Sequence, residues 1–325
     1  MSEDEDSSGW QLTESDPGVF TELLKSLGVP YIVDDLYSLD PEALSALRPL
    51  HALIFLFKWL PSTSDEPSNR TGEYDPDFPG FFAHQTVNNA CATLAVINTL
   101  GNIPSLTCGA QLSDLMSFTA GMDPQTCGMA VTSADWLRES HNALSPPSAI
   151  SLDGLGLPKK TEDAYHFVVY LPVLGSVYEL DGLKPWPVRH GGYEDSGEGW
   201  LRKAREVIEA RIAGYPQGAI EFSLLAIRDD PLPAMQMQLE TFQRTGQVAE
   251  ARDVFSKISH ETSKRDRWAL ENSLRRHNHI GLVHALLLAL AKAGRLQPGM
   301  ENARKVMRER IERHRERGLA DMDED

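Results

Sequence analysis

The sequence predicts an α+β fold followed by an all-α extension, and three observations predict it. "HALIFLFKWL" (51–60) is a continuous apolar run of strand length, as a central strand requires. "AYHFVVYLPVLGSVYELDG" (164–182) has the pattern of an antiparallel hairpin. From Pro231 onward strand patterns vanish, and helical periodicity runs on to Gly318.

The elements follow in order. "DPGVFTELLKSLGV" (16–29) is a helix with Pro17 in its first turn and Gly28 as its stop. "LDPEALSALR" (39–48) is a second short helix with Pro41 near its start. The strand comes next, then a polar, turn-rich loop at 61–80. "ACATLAVINTL" (90–100) is apolar on nearly all sides, as a buried central helix must be. Helical patterns recur at 111–121 and 133–143. Residues 144–163 are rich in Pro, Gly and Ser, and a loop that long is either a lid or disordered. The hairpin, a helix at 199–215 and a closing strand at 219–230 complete the first part. The predicted organisation is an acidic, disordered 1–8, a domain at 9–230, a helical extension at 231–318 and a disordered acidic tip at 319–325.

With 325 residues the chain can hold one sizeable domain and an appendage. Three Cys, an odd number with no CxxC pair, argue against a disulfide framework and a thiolate zinc site. "MSEDEDSSGW" lacks the basic-then-apolar pattern of a signal peptide, and "GLVHALLLALAKAG" (281–294) is too short to span a membrane. A reducing compartment, cytoplasm and nucleus, is therefore expected, with Asn69-Arg70-Thr71 an accidental sequon. Net charge is −16, made of −19 over residues 1–230 and +3 over 231–325. An acidic front half disfavours nucleic acid and suits a basic protein or peptide, or serves solubility alone.

Cys91 opens the apolar helix behind Asn88 and Asn89, two good N-cap residues. A thiol in a first helical turn ionises more readily, because free N–H groups and the macrodipole favour negative charge. A buried Cys is equally an inert small hydrophobe, so partners must decide. The hairpin supplies them. With Pro172–Gly175 as a four-residue turn, 171 pairs with 176, 169 with 178 and 166 with 181. His166 then faces Asp181 at about 4.5–5.5 Å between Cβ atoms. That sheet face holds His166, Val168, Tyr170, Val177, Glu179 and Asp181, while Phe167, Val169, Leu171, Tyr178 and Leu180 form the core face. His beside Asp is the base and orienter that a thiol nucleophile needs. Gln85 adds a side-chain amide for a developing oxyanion, alongside the Cys91 N–H.

These motifs in order, Gln-x5-Cys within "FFAHQTVNNACAT", then "YHFVVY", then "YELDG", resemble the ubiquitin carboxyl-terminal hydrolase family of deubiquitinases (peptidase C12 type). "WQLTESDPGVFTELLKSLGV" and "LIFLFKW" match its opening helix and central strand, so the resemblance covers about 9–230. It implies a papain-like cysteine protease core, a central antiparallel sheet flanked by helices. It implies thiol-dependent hydrolysis of ester, thioester, amide, peptide and isopeptide bonds at the C-terminal Gly of ubiquitin. Gln85 becomes the oxyanion donor, Cys91 the nucleophile, His166 the base and Asp181 the orienter. It also implies substrate contacts at Ser15, Asp16, Pro17, Gly18, Val19 and Asn89, a lid at 144–163 with Leu152 and Leu155, and no metal or organic cofactor. Competing readings are a catalytically silent ubiquitin-binding scaffold and a papain-like protease of unrelated substrates.

The tail, 273–318, resembles the C-terminal extension of the family's proteasome-associated type. This implies docking onto a helical adaptor domain (DEUBAD type) of a proteasomal ubiquitin receptor, through Arg275, Arg276, His277, Asn278, Leu286 and Leu290. A chromatin-complex-associated deubiquitinase is the alternative. "VHALLLALAKAGRL" holds too many Leu to stand uncovered in water. Residues 304–317 carry seven Arg or Lys against three Glu, which suits a solvated helix with i,i+4 pairs or a docking helix. The interleaved Glu disfavour nucleic acid. His277-Asn278-His279 matches a nuclease signature in letters only.

Overall fold

The computed structural model describes residues 8–58, 72–145, 165–215, 222–277 and 279–320, with side chains to Glu309. The expected acidic N-terminus, most of the 61–80 loop, nearly all of the lid with Leu152 and Leu155, Asn278 and most of the acidic tip lie outside the described residues. The described chain divides into two compact units, one ending at Arg276 and one beginning at His277.

The first unit is built on a seven-stranded sheet in the order β1-β7-β2-β4-β5-β6-β3, with every neighbouring pair antiparallel. The strands are β1 Tyr31–Asp35, β2 Leu50–Lys58, β3 Glu73–Tyr74, β4 Tyr165–Val173, β5 Ser176–Leu180, β6 Val188–Gly192 and β7 Phe222–Asp229. β2 lies between β7 and β4, which explains its unbroken apolar run: Ala52, Leu53, Ile54 and Phe55 are all fully buried. Their alternate sides meet two cores. One contains Phe20 and Leu24 of α1 (Pro17–Ser26) and Val96 and Ile97 of α3 (Cys91–Leu100), with Ile54 and Val169. The other contains Leu44 of α2 (Pro41–Ala46) and Leu201, Ala204 and Ile208 of α7 (Trp200–Ala213), with Phe55, Val168 and Tyr170. The sheet face bearing His166 is therefore core as well. Asp16 caps α1, accepting the Val19 N–H at 3.0 Å.

The hairpin corrects the expected register. Leu174 and Gly175 both have positive φ, 44° and 78°, and form a two-residue turn of the primed kind that matches strand twist. Val173 pairs with Ser176 and Val169 with Leu180, a slip of two residues. Because side chains alternate with period two, that slip keeps every residue on its expected face. His166 and Asp181 share a face without being directly opposed.

α4 (Ala110–Thr119), α5 (Pro124–Thr132) and α6 (Asp135–Asn142) follow α3 in the chain. The expected boundary near 230 marks the end of strands, not of this unit. α8 (Pro231–Thr245) and α9 (Val248–Arg276) belong to it, because α9 is seated on α1. Trp268 covers Gly18, where a Cβ would lie 2.7 Å from the indole. Asn272 donates to the Gly18 carbonyl at 3.0 Å. Lys264 joins Asp34 of β1 at 2.6 Å, and Arg265 joins Asp230 at 2.6 Å. Arg275 pairs with Glu14 and Asp16, each at 3.0 Å, and Arg276 with Glu22 at 3.2 Å. Arg275 and Arg276, expected to meet a partner, are thus engaged inside this unit.

The second unit holds α10 (Ile280–Lys292) and α11 (Leu296–Ala320). No residue of α10 is buried; Leu286 is 55% and Leu290 40% exposed. The rings of His277 and His279 meet at 4.9 Å. Among the described residues no single helix is long and apolar enough to cross a membrane.

Candidate active site

α3 begins at Cys91 itself. The residue before it, Ala90, offers no side-chain cap. Asn88 and Asn89 therefore do not cap the helix as expected. Asn89 takes a left-handed conformation, φ 62°, and its side chain donates to the Trp10 carbonyl at 3.1 Å, tying down the N-terminal segment.

His166 is the second residue of β4 and is buried. Its Nε2–H donates to Asp181 Oδ1 at 2.6 Å, and Cys91 acts on the same ring. Burial alone would lower the ring's pKa. The hydrogen bonds to Asp181 and Cys91, and the charges behind them, outweigh it and push His166 up to about 9. Asp181 is buried one residue past β5, where its carboxylate also accepts the Leu183 N–H at 2.9 Å. His166 thus interacts with both Asp181 and Cys91. Gln85 joins through its backbone, donating its N–H to the carbonyl of Gly182, the residue after Asp181, at 2.8 Å. Its Oε1 is buried and has no hydrogen-bond partner among the described residues.

Two supports were not foreseen. Phe57 of β2 sets its ring edge-on to His166 at 6.0 Å, and the Arg211 guanidinium lies over Phe57 at 4.3 Å. Arg211 is itself held by Glu179 at 2.7 Å and the Tyr170 hydroxyl at 2.8 Å. Burial works to raise the Glu179 pKa, yet Arg211 and His190 hold the carboxyl well below the usual range. On the other side of the sheet, His141 of α6 accepts from Thr93 at 2.7 Å and donates to the Gln11 carbonyl at 2.7 Å. This links the N-terminal segment to α3 two residues after Cys91. Burial lowers the His141 pKa. Sequence spacing carried no signal for either group, since each joins positions far apart in the chain.

The expected substrate residues have other tasks here. Ser15 donates to Ser223 at 3.3 Å, and Asp16 caps α1 and pairs with Arg275. Pro17, Gly18 and Val19 are buried, Gly18 beneath Trp268, and so present little surface to a substrate.

Comparison with known proteins agrees with this geometry. Residues 10–213 match the profile of "Ubiquitin carboxyl-terminal hydrolase, family 1", and residues 251–296 match a second profile, "Ubiquitin carboxyl-terminal hydrolases". The chain is 36% identical over 314 residues to ubiquitin carboxyl-terminal hydrolase ubh-4 of Caenorhabditis elegans, covering 94% of both chains. It is 35% identical to BAP1 of Danio rerio over 74% of this chain but only 34% of that protein. Among solved structures, Trichinella spiralis UCH37 bound to ubiquitin vinyl methyl ester is similar at 32% identity and a TM-score of 0.64, over 80% of this chain and 99% of that one. The papain-like sheet and these likenesses lead to one conclusion: the chain belongs to the ubiquitin carboxyl-terminal hydrolase family and is a thiol-dependent deubiquitinase.

Proposed function

We propose that Cys91 is the nucleophile, His166 the base, Asp181 its orienter and Gln85 an oxyanion donor, in hydrolysis after the C-terminal Gly of ubiquitin. The observation that carries this reading is the buried His166–Asp181 pair, with Cys91 acting on the same ring. The thiol proton passes to His166 Nδ1, and Sγ attacks the Gly carbonyl carbon. The oxygen of the tetrahedral adduct takes up the negative charge and is met by the Gln85 amide and the Cys91 N–H. A ring with a pKa of about 9 holds its proton at neutral pH, so His166 can deliver it to the leaving amine. The thioester that remains is cleaved by water, with His166 accepting the water's proton. A protein that merely held ubiquitin would have no use for a buried His–Asp pair, which costs desolvation. Ubiquitin bearing a C-terminal electrophile tests the reading. Wild type should be labelled and Cys91→Ala should not. An unlabelled wild type, alone and with its partner, would overturn it.

The second unit, in the same proposal, docks onto a helical adaptor domain of a proteasomal ubiquitin receptor, through Leu286 and Leu290, and the protein works in cytoplasm and nucleus. The uncovered leucines of α10 support this, as does the second family profile, which spans most of α9 and α10. A chromatin complex is the other candidate partner. Full-length protein and a Leu286→Asp/Leu290→Asp variant, captured from extract, decide it. Proteasome subunits should follow the wild type only. Equal recovery by both would remove α10 as the address.

A further inference from the structure

α3 carries Cys91 at its first residue, and farther along it holds a second strand of the site. Asn98 accepts the Ala83 N–H on Oδ1 at 2.8 Å and returns an Nδ2–H to the Ala83 carbonyl at 3.1 Å. Four residues on, Asn102 does the same to Phe81, at 2.9 Å and 2.7 Å. Its remaining amide hydrogen goes to the Asn98 carbonyl at 2.7 Å. Each primary amide therefore reads one residue's N–H and C=O as a neighbouring strand would.

The spacings explain why this works. Residues i and i+4 of a helix are about 6 Å apart along its axis. Residues i and i+2 of an extended chain are about 6.6 Å apart. Asn98 and Asn102 thus match Ala83 and Phe81, with the two segments running in opposite directions. The approach is close enough to require glycine on both sides. A Cβ on Gly101 would lie 2.5 Å from the Phe81 ring, and one on Gly80 would lie 2.0 Å from Asn102 Oδ1. Asn98 and Ala83 are both buried, so without the ladder the Ala83 N–H and carbonyl would lose their partners out of reach of water. Continued by one step, the same register brings residue 85 level with residue 94, less than a turn from Cys91.

We infer that Asn98 and Asn102 are positioning residues for the reaction: they fix the segment bearing Gln85 onto the helix bearing Cys91, so that oxyanion donor and nucleophile move as one body. Hydrogen-bond stabilisation of an oxyanion demands this, since the donor must already stand where the charge develops. The inference rests on Gln85 being the donor.

A double-mutant cycle in the full chain tests it. Turnover of a fluorogenic ubiquitin C-terminal amide is measured for Asn98→Leu, Gln85→Ala and the double variant, together with alkylation of Cys91 by a small reagent, which needs no oxyanion donor. Asn98→Leu should lower kcat about 30-fold, less than the roughly 10²–10³-fold cost of removing a donor outright, with KM and the alkylation rate within twofold of wild type. In the Gln85→Ala background the same substitution should cost less than twofold. Full additivity in that background, or wild-type kcat in folded Asn98→Leu, overturns the ladder. If Gln85→Ala itself keeps wild-type kcat, the oxyanion reading falls and the ladder with it. If Gln85→Ala is slow and Asn98→Leu is not, only the ladder falls. Should Asn98→Leu fail to fold, Asn102→Leu at the half-buried rung replaces it, with a loss of about threefold that again disappears without Gln85.

Discussion

α3 and α10 are both strongly apolar helices, and the fold treats them in opposite ways. Residues 92–100 of α3 are all buried, whereas no residue of α10 is. Composition alone does not distinguish them. The difference lies in the polar residues. In α3, Thr93 bonds His141, Thr99 bonds the Ala95 carbonyl and Asn98 bonds Ala83. Each polar group has a partner waiting in the first unit, so the helix can be enclosed on all sides. α10 has leucines around its circumference and none of its residues is buried. An exposed apolar surface of that kind is what the proposed docking would cover. One helix is enclosed by the first unit, and the other keeps its leucines at the surface.

The largest effect comes from breaking the mouth of α3. Cys91→Ala should abolish turnover while ubiquitin affinity, measured by titration calorimetry, stays near wild type. Asp181→Asn should cut kcat by about 100-fold or more with little change in affinity, because the imidazole loses its orienter. Turnover within twofold of wild type in that variant would remove Asp181 from the mechanism. Next comes the body of the two helices. Ile97→Ala should cost about 2–5 kcal/mol in denaturant unfolding, the range for truncating a buried aliphatic side chain. Leu286→Asp, at a position more than half exposed in the second unit, should leave the melting temperature of the first unit unchanged. A destabilisation comparable to Ile97→Ala would show that α10 has an internal partner.

A smaller effect separates the two buried histidines around α3. The His166 pKa is raised to about 9, so its contribution to stability is full below about 6.5, its unfolded value, and is lost as pH rises through 9. The His141 pKa is lowered by burial, so its contribution is full above about 6.5 and is lost as pH falls. Melting temperature between pH 5 and 9.5 should therefore fall at both ends. His141→Gln should flatten the acid limb and Asp181→Asn the alkaline limb. Limbs unchanged by either substitution would assign the falls to other groups. The smallest effect is expected at Arg276→Ala, which removes a half-exposed pair with Glu22 and should cost less than about 1 kcal/mol.

How much of this was legible in the sequence follows from how local each signal was. α1, α2, β2, α7 and β7 were readable because periodicity and Pro or Gly punctuation sit inside each segment. The family was readable because the motifs around Gln85, Cys91, His166 and Asp181 stand in a recognisable order. The hairpin register was not, because Leu174 occupies a left-handed position that sequence assigns to glycine or asparagine. Pro172 invited a turn, yet it lies in β4 past Tyr170, where pairing with β2 has ended and its missing N–H costs little. α5 was hidden by Gly128 in its interior, and β1 by its acidic end, where Asp34 pairs with Arg228 and Lys264. The asparagine ladder had no local signature at all. Asn98 is informative only once residues 81–83 are known to lie beside it.

The seat of Trp268 on Gly18 bears on how this chain can change over generations. An indole fills the space that a side chain at position 18 would need, so neither position is free to vary alone. A larger residue at 18 requires loss of the tryptophan, and loss of the tryptophan releases 18 from glycine. A relative ending before α9 would be under no such pairing. The two positions, 250 residues apart, should be inherited as a couple wherever α9 is present and drift independently where it is absent.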